Sequence, residues 1–473
     1  MAGSQWQSMT LPPRLPLVVA TSNRDGSVEK DARLVNCFME TDQESNDIFV
    51  IKRFGLASAG VIADGDAGQG VYNWNGDIYS IFGGVLYKNG SSVGTGLDTS
   101  GGVYHFSSIL GATPKLAFNN GIAGYGYEDI GGVTGPLHGV DSDYPEVTVK
   151  GWTYLNGPLY VMQPEAVIWG SEINAFTADG DWDPLNFIRA QIEPDNGVCL
   201  AKQLVYSVAF KQWTTEFFFD AGNAVGSPLG PVEGAKLGYG CASADSVQSI
   251  DDTLFFLTTN RTSSPQVGMI EALRFRIIST KPIDKLLKGA DFSNVMSWQI
   301  KISGHSFYVL TIVALNLTLA YDIVEGRWCQ WTDKDGNYMP IIASTYDSSG
   351  RHILQHATSG RLFYADTDYY MDNNDPIQCD IYTPNFDAGT KRRKMCSALE
   401  VVADQYSGNY IDCRRSDDDY QTWSNFRRID LTQKNPVIRN EGTFSRRAYN
   451  FRHKLNAPMR LKAVELQYDV GVL

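Results

Sequence analysis

Residues 304–331 read GHSFYVLTIVALNLTLAYDIVEGRWCQW, and their pattern decides the fold class. Phe307 to Ile312 is a run of β-branched and aromatic residues. Ala314-Leu315-Asn316 supplies a turn. In Leu317 to Tyr321, Leu317, Leu319 and Tyr321 share one face at period two, and Thr318 and Ala320 share the other. Asp322 to Gly326 makes a second turn, because Asp caps its own backbone and Gly accepts a positive φ. Arg327 to Trp331 then begins a third strand. Three short antiparallel strands form a meander, which cannot bury both faces alone and needs neighbours of its own kind.

The chain supplies them. Val71 to Gly90 reads as strand, Asn-Gly turn, strand, Gly-Gly turn, strand, and Asn-Gly is the strongest short hairpin signal. Lys115 to Gly124 and Trp152 to Trp169 repeat the pattern. Weaker copies follow at 206–219, 249–258, 304–331 and 351–365. The turns fall near 76, 120, 157, 211, 252, 305 and 350, a spacing of roughly 35–55 residues, close to that of propeller blades. The expected fold is all-β: a β-propeller-like body of about six to seven blades, which buries many short meanders without long open edges. An irregular β-sandwich is the plainer alternative. One segment breaks the strand pattern. Thr280-Lys-Pro-Ile-Asp-Lys-Leu-Leu-Lys-Gly289 predicts a short inter-blade helix, with Thr280 as N-cap, Gly289 as stop, and Ile283, Leu286 and Leu287 as its apolar face.

Around this body the sequence predicts an extended N-terminal arm over 1–30, with Pro12, Pro13 and Pro16. Two strands follow, Arg33 to Glu40 and Ile48 to Phe54. The acidic, turn-rich stretch Asp372 to Pro376 marks a boundary. The expected domains are therefore the arm (1–30), the propeller-like body (31–372) and a C-terminal β-sandwich (373–473), whose strands alternate apolar and charged positions.

Composition agrees with a turn-rich β protein: 12% aromatic residues, 45 Gly and only 20% charged residues among 473. The seven cysteines are scattered without a CxxC, so reduced thiols are expected. Met1 to Thr10 has neither a basic region nor an apolar core, so no secretory leader is expected. The longest apolar stretch, 306–321, falls short of the ~20 residues of a membrane helix. Residues 375–473 hold 16 Lys+Arg against 13 Asp+Glu, net +3, leaving 24 against 40, net −16, in the rest. An acidic body opposes tight nucleic-acid binding, which needs phosphate-neutralising cations, but suits a conduit from which phosphates are repelled.

Few constellations carry chemistry. Ser416-Asp-Asp-Asp-Tyr-Gln-Thr-Trp423 matches the Asp-box pattern S-x-D-x-G-x-T-W, with Tyr420 in place of Gly. Ser416, Asp418, Thr422 and Trp423 are read as a structural hairpin turn. Asp179, Asp181 and Asp183, and Asp366, Asp368, Asp372 and Asp375, offer loop oxygens without calcium-loop spacing. His352 and His356 share a strand face ~13 Å apart with no partner to complete a zinc set. Lys391, Arg392, Arg393 and Lys394 form a basic run, a candidate contact with an acidic partner surface or DNA phosphates. No GxGxxG before a helix, Walker A loop or GxSxG occurs. No catalytic, cofactor-binding or metal residue is assigned.

Three stretches resemble the packaged-DNA stabilisation proteins, also called tail hub or nozzle proteins, of short-tailed bacteriophages. They are Ser171-Glu-Ile-Asn174 with Trp182-Asp-Pro-Leu-Asn-Phe and Glu193-Pro-Asp195; Pro282-Ile-Asp-Lys-Leu-Leu287 with Phe307-Tyr-Val-Leu-Thr-Ile, Leu319-Ala-Tyr-Asp322 and Trp328; and Val71 to Gly90 with the Arg-rich close at 446–466. The resemblance implies a non-enzymatic virion protein, assembled in the host cytoplasm. It implies a homo-hexamer that binds below the portal and adaptor rings, contacts tail fibre or needle proteins, seals the head and forms part of the DNA ejection channel. The rival reading is a carbohydrate-binding or carbohydrate-cleaving propeller, on the strength of the aromatic content and the Asp-box-like turn.

Overall fold

The computed structural model describes residues 13–17, 31–223 and 225–471. Most of the expected arm lies outside these residues. The described part is almost entirely strands and turns, and its contacts divide the chain into two compact units. Of the described residues, one comprises those up to 55 with 327–334 and 367–471; the other comprises those of 56–326 and 335–366.

The larger unit holds seven antiparallel groups of strands in chain order, five of them separate sheets and two of them parts of longer sheets. Blade 1 is Gly68–Trp74, Asp77–Phe82, Val85–Lys88 and Ser91–Gly94. Blade 2 is His105–Ile109, Lys115–Asn119, Gly124–Glu128 and Gly132–Thr134. Blade 3 is Thr153–Tyr154, Leu159–Met162, Val167–Ser171 and Trp182–Arg189. Blade 4 is Gly197–Gln203, Tyr206–Lys211, Thr215–Asp220 and Leu229–Pro231. Blade 5 starts with two short pieces, Gly240–Cys241 and Gln248–Ile250, before Thr253–Thr259, Gln266–Glu271 and Arg274–Ile277. Blade 6 contributes Val295–Ile302, His305–Ile312 and Leu317–Asp322. Blade 7 is Ile341–Tyr346, His352–His356 and Arg361–Asp366, and the early strand Gly55–Val61 pairs beside the last of these. Neighbouring blades pack mainly through their first strands, with Tyr206–Lys211 of blade 4 meeting Gly240–Cys241 of blade 5, and blade 7 packs on blade 1, so the ring closes. This is a β-propeller.

The Asn-Gly signals act as the sequence predicts. Asn75 and Gly76 both take positive φ (54° and 88°), which matches the turn twist to the twist of the flanking strands. Apolar clusters fill the gaps between blades. In one, Tyr79, Ile81, Leu116 and Phe118 lie between blades 1 and 2. In another, Val208, Phe210, Leu254 and Phe256 lie between blades 4 and 5.

Polar stitches join neighbouring blades. Tyr104 N donates to Gln69 O at 2.7 Å. Gly151 N donates to Asn119 Oδ1 at 2.9 Å, and Leu200 N to Lys150 O at 3.1 Å. Gln203 Nε2 reaches Ile270 O at 2.7 Å, and Gln248 Nε2 reaches Ser297 O at 3.0 Å. Gln299 N donates to Ser344 Oγ at 3.2 Å, and Gly70 N to Gln355 Oε1 at 2.7 Å. Every junction of the ring thus carries a hydrogen bond in a low-dielectric setting, where an unpaired group would be costly.

The inter-blade helix runs Lys281–Leu287, with Ile283 and Leu287 buried and Leu286 half-buried. Thr280 holds the N-cap position, but its side chain makes no capping bond. Asp284 in the first turn anchors the segment instead, accepting from Ser279 Oγ at 2.6 Å and Gln266 Nε2 at 2.8 Å.

The smaller unit has two sheets. One contains Arg33–Val35, Cys379–Tyr382, Ala448–His453, Tyr410–Ser416 and Arg427–Asp430, with Arg327–Trp331 parallel to Arg33–Val35. The other contains Cys37–Thr41, Ile48–Lys52, Arg460–Val470, Lys394–Ala403 and Val437–Phe444. Strand Lys394–Ala403 alternates buried and exposed positions along its first half, as a sheet with one solvated face requires. The contact boundaries differ from those expected at 31 and 372. Residues 31–55 belong with the C-terminal strands, because Val50 pairs with Leu461 and Leu34 with Ile381. The third strand of the 304–331 meander, Arg327–Trp331, also falls in this unit. There Trp331 is fully buried and meets Phe54 edge-on, with ring centroids 5.5 Å apart. Among residues 13–17, Leu15 is buried and its N–H bonds Val464 O at 2.8 Å.

Candidate functional site

The first strands of all seven blades surround a central cavity of about 740 Å³. Successive side chains of a strand point to opposite sides, so every blade can send residues into this bore. Blade 2 lines it with His105 and blade 5 with Asp245, from a single turn of 3-10 helix, Ala244–Ser246, while Lys150, in the segment leading into Thr153 of blade 3, reaches Asp245. Lys150 Nζ lies 2.9 and 2.8 Å from the two carboxylate oxygens of Asp245. His105 Nε2 lies 3.2 Å from Oδ1. Blades 2 and 5 are three places apart around a seven-blade ring, so this link crosses the bore. Ser297 Oγ of blade 6 donates to Asp245 O at 2.6 Å and fixes the turn. Burial opposes ionisation of Asp245, but the His105 hydrogen bond and the Lys150 charge outweigh it and hold the carboxyl below its usual range.

Toward the hairpin ends of the first strands the lining changes. Tyr72 of blade 1 and Phe106 of blade 2 stack with centroids 5.4 Å apart and planes 7° apart. Lys202 Nζ stands 6.0 Å from the Tyr154 ring. Leu110 and Leu204 line the cavity and are exposed, at 67% and 44%. Leu204 takes a φ of 52°, unusual for a bulky side chain.

The residues singled out from sequence lie elsewhere. Lys391, Arg392 and Arg393 are exposed, but Lys394 is buried. Its ammonium donates to Ser445 O at 2.7 Å and to Thr390 O, so the basic run presents three charges outward and not four. Ser416 Oγ donates to Asp418 Oδ1 at 2.8 Å, and Asp418 accepts from Thr422 N at 2.9 Å and Thr422 Oγ1 at 2.5 Å. These bonds from Thr422 and Ser416 hold the Asp418 carboxyl down to about 2. Tyr420 adopts the positive φ (66°) that Gly would supply, and its hydroxyl donates to Thr383 O at 2.7 Å. Trp423 packs edge-on against Tyr382 and Tyr420. Ser416, Asp418 and Thr422 thus bond one another and the turn backbone, while Tyr420 and Trp423 tie the turn to Tyr382 and Thr383.

His352 and His356 sit half-buried on one strand, each with its pKa lowered by burial. His352 Nε2 accepts Lys301 N at 3.2 Å, and His356 Nδ1 accepts Thr358 N at 3.1 Å. Asp181 and Asp183 cap local backbone N–H groups. Asp372 pairs with the buried Arg53, and Asp375 with Lys334 at 3.1 Å. Among the described residues no group of three or more His, Cys, Asp or Glu is placed to hold a metal ion. All seven cysteines are buried free thiols. No helix among the described residues is long and apolar enough to cross a membrane. Sequence reading missed the His105–Lys150–Asp245 link. Its members are 45 to 140 residues apart, and each stands as an isolated residue with no motif around it.

The sequence model of the family described as bacteriophage P22 Gp10, beta-propeller, matches residues 31–367. No curated protein matches the sequence. Among solved structures, the computationally designed protein Ika8 is 8% identical, with a TM-score of 0.39, over 66% of this chain and 99% of that one. The extracellular domain of a protein described as a hybrid two-component system (BT3049) from B. thetaiotaomicron is 8% identical, with a TM-score of 0.45, over 91% of this chain and 61% of that one. Likenesses this distant say nothing about ligand or activity. With the family match spanning the propeller and the strands that lead into it, the chain belongs to the bacteriophage P22 Gp10 β-propeller family of phage stabilisation proteins.

Proposed function

We propose that this chain is the tail hub, or nozzle, of a short-tailed phage, a non-enzymatic virion protein assembled in the host cytoplasm. In this reading it docks below the portal and adaptor rings as a homo-hexamer, retains packaged DNA and lines part of the ejection channel. It also carries the tail fibre or needle. The family match over 31–367 supports this most directly. The geometry of the bore bears on the route of the DNA. A cavity crossed by the Lys150–Asp245 ion pair cannot pass a duplex. DNA would therefore run between copies, along a ring axis, and not through a propeller. A ring of this kind needs heterologous contacts, one face of each copy meeting a different face of the next. The acidic body (net −16) and the cationic C-terminal hundred residues (net +3) provide unlike surfaces for that purpose. In this proposal Lys391, Arg392 and Arg393 contact the adaptor, while the Asp-box-like turn is scaffold.

The test is reconstitution of the purified chain with its adaptor ring, viewed by negative stain. Six-fold rings seated on the adaptor are the expected outcome. A chain that stays monomeric beside the adaptor would refute the assignment.

A further inference from the structure

The cross-bore link does more than exclude DNA. It floors one end of the cavity, so that the bore is a blind socket entered from the hairpin side, where Leu110, Tyr154, Lys202 and Leu204 stand. A volume of about 740 Å³ is in the range of small-ligand pockets. We propose that this socket binds a short neutral saccharide.

The chemistry of the lining selects that class. Lys150 is neutralised by Asp245 on the floor. Nearer the mouth the lining carries one further cation and one further anion, Lys202 and Asp252, both exposed. The charges of Lys202 and Asp252 cancel as those of Lys150 and Asp245 do, so these four groups offer a phosphate or a polyanion no net attraction. The wall is close to evenly polar and apolar, which does not suit a lipid chain. What remains is a ligand with hydroxyl groups on its edges and C–H groups on its faces. Aromatic rings are electron-rich on their faces and meet polarised C–H bonds well; Tyr72, Phe106 and Tyr154 supply such rings. Donors and acceptors for hydroxyls come from Ser249 and Gln299 in the wall and from Lys202 and Asp252. Among the described residues neither Lys202 nor Asp252 has an ion-pair partner inside the protein, so each is able to bond a ligand at little cost. The apolar lip adds a place for the non-polar face of a second sugar unit.

The site stands on the propeller's own geometry and is independent of the hub reading, since binding is measured on the free chain. The probes are maltose, lactose, N,N′-diacetylchitobiose and a rhamnose disaccharide, each at millimolar concentration with the full-length protein. The measurement is saturation-transfer NMR followed by calorimetry. Ser249→Trp places a bulky ring in the socket at an exposed position. Lys202→Met removes a hydroxyl partner without touching the floor. At least one probe is expected to receive saturation in the wild type. Ser249→Trp is expected to weaken it tenfold or more, and Lys202→Met about threefold or more, with both variants melting as the wild type does. No transfer to any of the four sugars overturns the proposal, as does binding that Ser249→Trp leaves intact. Transfer to a control tripeptide in their place would assign the socket to a peptide and overturn it as well.

Discussion

Asn119 shows how single side chains hold the propeller together. It is fully buried, accepts Gly151 N and donates to Val149 O and Gly151 O, each at 3.3 Å, and so ties blade 2 to blade 3. Asn119→Ala strands three backbone groups, and we expect it to cost about 1–3 kcal/mol in denaturant unfolding; a change within the error of the midpoint would show the stitch to be dispensable. Lys211 is a harsher case. Its ammonium is buried between Glu216 (2.5 Å) and Asp195 (3.2 Å). His453 makes the smaller unit sensitive to pH. Its ring accepts from Lys52 at 3.5 Å through Nδ1 and donates to Asn409 at 2.7 Å through Nε2. Burial first, and the Lys52 charge second, push its pKa down to about 3. The unfolded chain takes up this proton near 6.5, whereas the folded chain does not until about 3. Stability is therefore full above about pH 6.5 and falls as pH drops through that window. The loss should amount to a few kcal/mol, since each tenfold change in proton affinity is worth about 1.4 kcal/mol. Equilibrium unfolding between pH 7 and 4 should show this decline, and His453→Gln should flatten it; an equally steep decline in the variant would assign the effect to other groups. None of these roles was legible locally. Asn119-Asn120-Gly121 reads as a hairpin turn, which is what its backbone does. The inter-blade bond belongs to a partner 30 residues away.

At the scale of elements, the closing strand is the decisive piece. Gly55–Val61 completes the sheet of blade 7 after some 300 intervening residues, and Ile62 N and Ala63 N both donate to Gly360 O, at 2.9 and 3.1 Å. Gly360 has a φ of 63°, and a Cβ there would overlap the Ala63 carbonyl. Gly360→Ala should destabilise the propeller by about 2–4 kcal/mol through strain and clash together, read as a lower calorimetric transition. An unshifted transition would mean that the ring tolerates an open seam. The blades themselves were readable because a meander is local: Asn-Gly turns and period-two runs place His305–Ile312 and Leu317–Asp322 within a residue or two. The closing strand was not, because Gly-Leu-Ala-Ser-Ala-Gly-Val has little β-branched or aromatic content. The pairing of Ile48–Lys52 with Arg460–Val470 escaped for a related reason. Alternation announces a strand but not its partner, and these partners lie about 410 residues apart. The Asp-box-like turn was legible because its chemistry lies within eight residues.

For the whole molecule, charge and assembly are the issue. The exposed Lys391, Arg392 and Arg393 are the cationic feature that sequence and structure both present at the surface. Reversing all three to Glu should leave the melting temperature of the free chain unchanged and weaken association with the adaptor ring by tenfold or more at low salt. The difference should shrink as ionic strength rises, because exposed charges are screened within about 10 Å at 0.1 M salt. Full association by the reversed variant would remove this run from the interface. What sequence could not convey at this scale is the blind bore, since His105, Lys150 and Asp245 converge only once seven blades have closed. Under the proposed hub function, that convergence would place the DNA path in the space between copies and not in a propeller. The most direct measurement is electron cryo-microscopy of the tail on purified virions, at a resolution that places single propellers. Six copies of this chain should surround the tail axis, with DNA density on that axis and each propeller bore empty of DNA. Virions that lack the chain, or DNA density threading a propeller bore, would contradict the hub assignment and its DNA path.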